Sequence, residues 1–419
     1  MSKTAREIAA DILCEIDKGA MSHAALNSAF RKYDLIPSDK DMTKLLVSGV
    51  LEHLTEIDGI IDSYSKKTAA GLKPIVRNVL RISIYQLSYM QNVPQSAVCN
   101  EAVKIIDRRK LYGLKGFVNA VLRNYADKAP KSPRNASSEL PRYIYDILLK
   151  RCGNEQIKAV IKAFDAPSKL TCRFNLSKAS EAEIIDSLKA QGIEAVKSYF
   201  VNNGYEIIGD VPVGEIEAFK AGLIQIQGLS SIYAAEALAP NPGAKVLDIC
   251  AAPGGKSIAI ADMVGADGKV VSRDLTDKKV RMIMKNAVRC GFSQIEAEVK
   301  DAASFYPEDE CAYDFVLADL PCSGLGTLGH KQEVRYRVSA EKVSEIARLQ
   351  RSILSNAARY VKPGGRLVYS TCTFTYEENE VNAAFIRDSL GLSLISERQL
   401  LPGIDPVSDG FYVAVFVKE

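Results

Sequence analysis

Apolar residues recur at helical spacing from Lys3 to about Asp127, as in Val76, Leu80, Ile84 and Leu87, with almost no alternation of the kind a strand requires. Gly19, Pro37, Gly71 with Pro74, Pro94 and Gly113 punctuate this stretch into successive helices. The pattern predicts an all-helical bundle over residues 1–130. The run KAPKSPRNASSELP, 128–141, is rich in Pro, Ser and charge and reads as a linker. From Arg142 to about Leu238 the two periods mix. A helix is predicted near Tyr143–Lys150, a strand over Leu170–Asn175, a helix around Ala182–Ala190, and strands near Tyr205 and Leu223, which together make a small α+β module. The string QGLSSIYAAEAL then reads as a helix covering the next sheet.

From Asn241 onward strands and helices alternate. Strands are predicted at Lys245–Ile249, Lys269–Asp274, Ile295–Lys300, Tyr313–Asp319, Arg366–Thr371 and Phe411–Lys418. The longest helix runs from Ser339 to Tyr360 and ends at Lys362-Pro363-Gly364-Gly365. Such alternation builds a mostly parallel sheet covered on both faces, with ligands at the carboxyl ends of the strands. The fold class is therefore multidomain α and α/β: a helical bundle (1–130), a linker and small α+β module (131–240), and a Rossmann-like domain (241–419).

A chain of 419 residues exceeds one hydrophobic core, in keeping with that division. No apolar run approaches the roughly 20 residues that span a membrane. The start, MSKTAREIAADIL, reads as an amphipathic helix and not a signal peptide, so a cytoplasmic protein is expected. Nine cysteines without a CxxC pair, beside three histidines, suggest neither a disulfide framework nor a metal site. Residues 1–130 hold 19 Lys and Arg against 14 Asp and Glu, whereas 131–240 balance at 13 to 13 and the remainder stands at 22 to 24. The basic surplus thus belongs to the bundle, where Arg77, Arg81, Lys104, Arg108, Arg109, Lys110 and Lys115 are either phosphate contacts or a solvated face.

The segment KVLDICAAPGGK, Lys245–Lys256, is a short apolar strand that turns through small residues into a helix. Cys250, Ala251, Ala252, Pro253, Gly254, Gly255 and Lys256 form the bend; Pro253 has no amide hydrogen, so Gly254, Gly255 and the first helical turn are left to point donors at a ligand. GxGxxG is absent, and Cys250 stands where a phosphate loop needs its first glycine. Asp248 can order the loop, and Asp274 at the end of the next strand suits a ribose diol. An adenosine without phosphate, as in S-adenosyl-L-methionine, fits; a merely structural strand-turn-helix is the plain alternative.

Two more strand ends carry reactive groups. YDFVLADLPCSGLG places Asp319, Pro321 and Cys322 at the binding edge, and RLVYSTCTFTYEENE places Cys372 there. If those strands are neighbours, two thiols face one pocket beside a carboxylate. A single cysteine is usually buried filler; two at equivalent strand ends fit methylation of a pyrimidine at C5. That carbon attacks a methylsulfonium only after a thiolate has added to C6, and an acid such as Asp319, if burial raises its pKa, would help the ring accept it.

The strings LNSAF, LVSGVL, PIVRNVLRISIYQL, NEAVKI and GFVNAVLRN resemble the NusB helical domain, which implies RNA binding. DICAAPGGK, DLPCSG and STCTFTYEENE resemble, in order and spacing, the motifs of RNA cytosine-C5 methyltransferases. Taken together, nearly the whole chain is similar to the bacterial 16S rRNA cytosine-C5 methyltransferases of the RsmB/Sun (Fmu) family. The resemblance implies Cys372 as nucleophile, Cys322 as the thiol that promotes product release, Asp319 as the acid beside the base, and Lys256 directed toward the active site. It also implies contacts to S-adenosyl-L-methionine from Cys250–Lys256, Asp274, Asp301 and Asp319, and as substrate the cytosine conventionally numbered 967, in naked 16S rRNA or an assembling small subunit. The chain departs from the family pattern in Leu320 for Ala, in Leu325, in GHKQEVRYR with Tyr336 near the usual Trp, and in Gly228 after Gln227.

Rival readings are another RNA target such as tRNA, a NusB-like assembly factor without turnover, a small-molecule or protein methyltransferase, and the DNA-enzyme scheme in which Cys322 attacks. His330, with no acid partner evident in sequence, reads as an RNA contact or spectator. Glu377, Glu378 and Glu380 read as structural carboxylates opening a helix, and Cys14, Cys99, Cys152, Cys172, Cys290 and Cys311 show no chemical setting. Nothing in the sequence demands more than a monomer.

Overall fold

The computed structural model describes residues 3–90, 92–128, 140–167, 169–209 and 211–419, so most of the predicted linker lies outside the described residues. The chain forms two compact units, one of Met1–Pro141 with Lys331–Tyr336, the other of Arg142–His330 with Arg337–Glu419.

The first unit is helical as predicted, with helices at Ala5–Asp17, Ser22–Lys32, Pro37–Glu52, Leu54–Tyr64, Pro74–Tyr89, Gln95–Arg108 and Lys115–Ala126. Pro74–Tyr89 is its axis. Proline opens this helix where no intrahelical donor is needed, and nearly every residue from Val76 to Ser88 is buried among Ile8, Leu13, Leu46, Val50, Ile57 and Leu122. Glycine is required at position 49, because a Cβ there would lie 2.0 Å from the Tyr85 ring.

The phosphate-contact reading is corrected for the residues nearest this axis. Arg81 is buried, and its guanidinium forks onto Asp58 at 2.7 Å through both nitrogens and reaches Asp17 at 3.2 Å. Arg77 donates to Asp17 (2.7 Å), and Arg109 to Asp11 (2.6 Å). These arginines neutralise carboxylates of their own bundle, which a charge count along the sequence does not reveal. Lys104 and Lys110 stay exposed. Glu333, from the short segment that joins this unit, is buried and accepts hydrogen bonds from the Ser22 amide (2.9 Å) and hydroxyl (3.0 Å).

The second unit begins with a helix, Arg142–Asp165, broken at Gly153, whose φ of 72° is left-handed. Strands β1 (Leu170–Phe174), β2 (Glu194–Lys197), β3 (Gly204–Ile208) and β4 (Ile224–Ile226) make an antiparallel sheet in the order β2-β3-β1-β4, with helices Glu181–Lys189 and Glu217–Lys220. The sequence reading did not predict β2; it is a mostly exposed edge strand and lacks the apolar alternation that marks a half-buried one.

The larger sheet contains β5 (Lys245–Asp248), β6 (Lys269–Asp274), β7 (Ile295–Val299), β8 (Tyr313–Asp319), β9 (Val361–Thr371), β10 (Leu392–Leu400) and β11 (Phe411–Lys418), in the order β10-β11-β9-β8-β5-β6-β7. The five strands from β9 to β7 run parallel, and β11 and β10 add antiparallel. Neighbouring residues serve opposite layers: Val246 packs with Ile258 and Val270, Leu247 with Val316, Leu354 and Tyr369. Helix Leu229–Leu238 packs against β9, β11 and helix Gly255–Val264, as its sequence predicts. β10 was not predicted, because four consecutive central residues are exposed. β9 begins five residues before the predicted start, running through Gly364 and Gly365.

Candidate functional site

The chemistry-bearing residues gather at the carboxyl ends of β5, β8 and β9. Asp319 ends β8 directly opposite Ser370 of β9, so the two strands are neighbours, and Cys322 and Cys372 follow them. Their Sγ atoms are 3.1 Å apart. The hydrogen bond with Cys372 and the burial of its surroundings push the Cys322 thiol well above its ordinary value.

Asp319 is held from both sides. Lys256 Nζ donates to its Oδ2 at 2.6 Å and Ser370 Oγ to its Oδ1 at 2.8 Å, while the side chain keeps 26% of its surface exposed. Solvent therefore reaches this carboxylate. Lys256 also stands 5.3 Å from the Phe411 ring centroid. Lysine and serine of the Gly-Gly-Lys-Ser string are thus both consumed by carboxylates, since Ser257 Oγ donates to Asp248 at 2.6 Å. This removes the phosphate-loop reading. Asp248 is fully buried, its Oδ1 has no hydrogen-bond partner, and burial lifts its pKa to about 7.

The bend before the helix is shaped by contacts. Gly254 has φ of 101°, and a Cβ on it would press Ile283 Cα at 3.2 Å. Its amide closes a turn on the Ala251 carbonyl (2.7 Å), which corrects the expectation that it is a free donor. The Ala251 amide is likewise engaged by Arg273 O (2.8 Å) and the Ala252 amide by Asp274 Oδ2 (3.1 Å). Pro253 offers its carbonyl to Asn286 at 2.9 Å. The donors left toward a ligand are those of Gly255 and the first helical turn. Over Gly255 lies Gln227, whose Oε1 is buried without a partner. Burial raises the Cys250 thiol, as it does the thiols of Cys14, Cys99, Cys152, Cys172 and Cys290.

Asp274, at the end of β6, is buried and also accepts from the Leu275 amide (2.7 Å) and Lys279 (2.9 Å). Asp301 follows β7, is exposed, and accepts from the Ala303 amide at 3.0 Å. The residues fit S-adenosylmethionine: carboxylates sit at successive strand ends for a diol or a cationic group, the backbone approaches closely at the glycines, and these same carboxylates would repel a phosphate chain.

Three residues escaped sequence reasoning or were misjudged. Glu378, read as a helix-opening carboxylate, is fully buried before the helix Glu380–Leu390 begins. It accepts from the Ser323 amide (2.7 Å), Thr375 Oγ1 (2.8 Å) and Gln350 Nε2 (3.3 Å), tying the loop after Cys372 to the loop of Cys322. Gln350 also donates to Pro321 O at 2.9 Å. Its one sequence signal was a polar residue on the face that Val343, Ala347 and Leu354 bury. His330, expected to lack an acid, has Asp409 Oδ1 3.3 Å from its Nδ1. Close backbone packing completes the site: Gly326 donates to Cys372 O at 3.0 Å, and a Cβ on it would fall 1.8 Å from Gly410 O. No group of side chains suited to a metal ion occurs among the described residues, and no described helix is long and apolar enough to cross a membrane.

Three family models match the chain in succession: the NusB family over residues 3–127, the ferredoxin-like domain of RsmF/B-like methyltransferases over 140–214, and the 16S rRNA methyltransferase RsmB/F over 235–396. The chain is 35% identical over 402 residues to the probable ribosomal RNA small subunit methyltransferase B of Bacillus subtilis (strain 168), covering 93% of this chain and 89% of the relative. It is 29% identical over 430 residues to the ribosomal RNA small subunit methyltransferase B of Vibrio cholerae serotype O1, covering 99% and 97%. The crystal structure of PH0851 superposes with a TM-score of 0.85 at 27% identity over the full length of both chains. With the identity to the Bacillus protein sustained along nearly its whole length, the chain belongs to the RsmB/F family of 16S rRNA methyltransferases.

Proposed function

We propose that the chain transfers a methyl group from S-adenosyl-L-methionine to C5 of a cytosine in 16S rRNA, the position conventionally numbered 967, through a covalent Cys372 adduct. The observation that carries this reading is the pairing of Cys322 and Cys372 at 3.1 Å beside the Lys256–Asp319 pair. When bound, S-adenosyl-L-methionine supplies an electrophilic methyl group. Cys250–Lys256, Asp274, Asp301 and Asp319 line the strand ends that would hold it.

Cys372 is the nucleophile. Its thiolate bonds to C6, the C5–C6 electron pair moves into the ring, and C5 becomes the carbon that accepts the methyl group. The Cys322 sulfur stands 3.1 Å from that of Cys372, close enough to act on its release. Because both Asp319 oxygens accept hydrogen bonds, the Lys256–Asp319 pair acts as one unit, the ammonium holding the proton that stabilises charge at N3. Water then takes the proton from C5, the C–H electron pair re-forms the C5–C6 double bond, and the C6–S bond breaks to release the Cys372 thiolate, which a hydrogen bond from the Cys322 thiol stabilises as it leaves.

The helical unit and the ferredoxin-like module bind the RNA, naked or in an assembling subunit, in the cytoplasm. Methyl-labelled cofactor and 16S rRNA, followed by bisulfite sequencing, test the target. Cys372→Ala should abolish transfer, and Cys322→Ala should accumulate an enzyme–RNA adduct stable on a denaturing gel. An adduct from Cys372→Ala would reverse the thiol roles, and absence of label in cytosine would leave an RNA-binding assembly factor.

A further inference from the structure

The loop from Thr371 to Glu380 carries Cys372, and its reach toward a base depends on what holds its backbone. One guanidinium does this from outside the sheet. Arg151 lies in helix Arg142–Asp165, two residues before the left-handed break at Gly153, and its side chain is only 7% exposed. Nε and Nη2 both donate to the Phe374 carbonyl, at 3.1 and 3.0 Å, two residues beyond Cys372. Nη2 also donates to Glu380 Oε2 at 2.9 Å, and Nη1 to Oε1, at the first turn of the helix that ends the loop. The guanidinium carbon sits 3.7 Å from the Tyr376 ring centroid, on the segment between those two anchors. Phe374 is fully buried, with its ring 6.3 Å from Phe164 of the same helix.

We propose that Arg151 is a positioning residue that fixes the Cys372 loop at the reach and orientation needed for attack on the base; this rests on Cys372 being the nucleophile. A planar fork that binds one carbonyl through two nitrogens fixes that carbonyl's direction as well as its distance, which a lysine ammonium does not. The same fork grips the carboxylate at the far end of the loop, so the loop is bracketed between Phe374 and Glu380. Burying the guanidinium is tolerable because these acceptors and the ring face replace its water. None of its contacts lies on the cofactor-side strand ends β5 and β6. Arg151 therefore acts on the attack step and leaves cofactor affinity alone.

The experiment measures how fast the covalent RNA adduct accumulates in a Cys322→Ala parent, with cofactor affinity and thermal unfolding recorded on the same preparations. Arg151→Met in that parent should slow adduct formation about 10- to 100-fold, since misplacement by about 1 Å costs that order of rate, with cofactor affinity unchanged. Arg151→Lys should recover part of the rate. Lys150→Ala, an exposed neighbour 4.8 Å from the same Tyr376 ring, should leave it unaltered. An adduct rate equal to the parent's overturns the assignment, as does a fall matched by equal losses of cofactor affinity and folded protein. No adduct in the parent itself refutes the nucleophile, and with it the premise. Should Arg151→Met not fold, Glu380→Gln, which weakens one anchor, carries the same readout and the same refutation.

Discussion

Cys322 and Cys372, 50 residues apart in sequence, bring their sulfur atoms to 3.1 Å because β8 and β9 are adjacent parallel strands with Asp319 opposite Ser370. A trivalent arsenical that bridges two thiols should therefore inactivate the enzyme with one equivalent. Excess dithiol should reverse the loss where a monothiol does not. Either single Ala variant should lose the dithiol-selective labelling, read by intact mass; labelling retained in Cys322→Ala would show another thiol pair at work.

Lys256 is the only described side chain that donates to Asp319 Oδ2, at 2.6 Å. Lys256→Met should lower kcat by about 10²- to 10⁴-fold, the usual contribution of a positioned proton-transfer group. The measurement is single-turnover methyl transfer at saturating RNA and cofactor. An unchanged rate would remove the pair from the chemistry.

Burial raises Asp248 from 3.8 to about 7 in the folded protein. Between those values the folded state holds a proton that the unfolded chain has released, so stability falls as pH rises from about 4 to about 7 and then levels off. Asp248→Asn keeps an acceptor for Ser257 and removes the titration. Chemical denaturation across that range should show a shallower decline in the variant than in the parent; identical pH slopes would show that Asp248 titrates normally.

Arg81 is a structural cation of the bundle, forked on Asp58 and touching Asp17. Arg81→Met leaves those carboxylates unpaired and should cost about 3 kcal/mol of stability, whereas exposed Lys67→Ala should change it by less than about 0.5 kcal/mol. Thermal unfolding decides this. If Arg81→Met weakened RNA binding in a salt-dependent way at unchanged stability, the arginine would be a phosphate contact after all.

Much of this architecture was legible because local pattern and tertiary role agree. The helical period of Pro74–Tyr89 is its burial pattern, and the apolar runs of β5, β6 and β8 are buried on both faces. The motif strings located Lys256, Asp319, Cys322 and Cys372, and the strand order brings them to one edge. Edge strands β2 and β10 were missed because their exposed residues carry no alternation. Arg81, Glu378 and Gln350 were misjudged or overlooked because a polar letter gives no sign of burial until its partners, 23, 55 and 29 residues away, are placed. Arg151 was invisible for the same reason, its partners lying 223 and 229 residues downstream.

The membership of Lys331–Tyr336 in the helical unit bears on how this enzyme can be dissected. That unit is discontinuous in the chain, and Glu333 takes its hydrogen bonds from Ser22. Excising residues 1–130 would strip a buried carboxylate of both donors in a stretch that begins nine residues after Cys322. Inactivity of such a fragment would therefore report the loss of Glu333's partners as readily as any other effect of the deletion, and point substitutions are the cleaner way to separate the two.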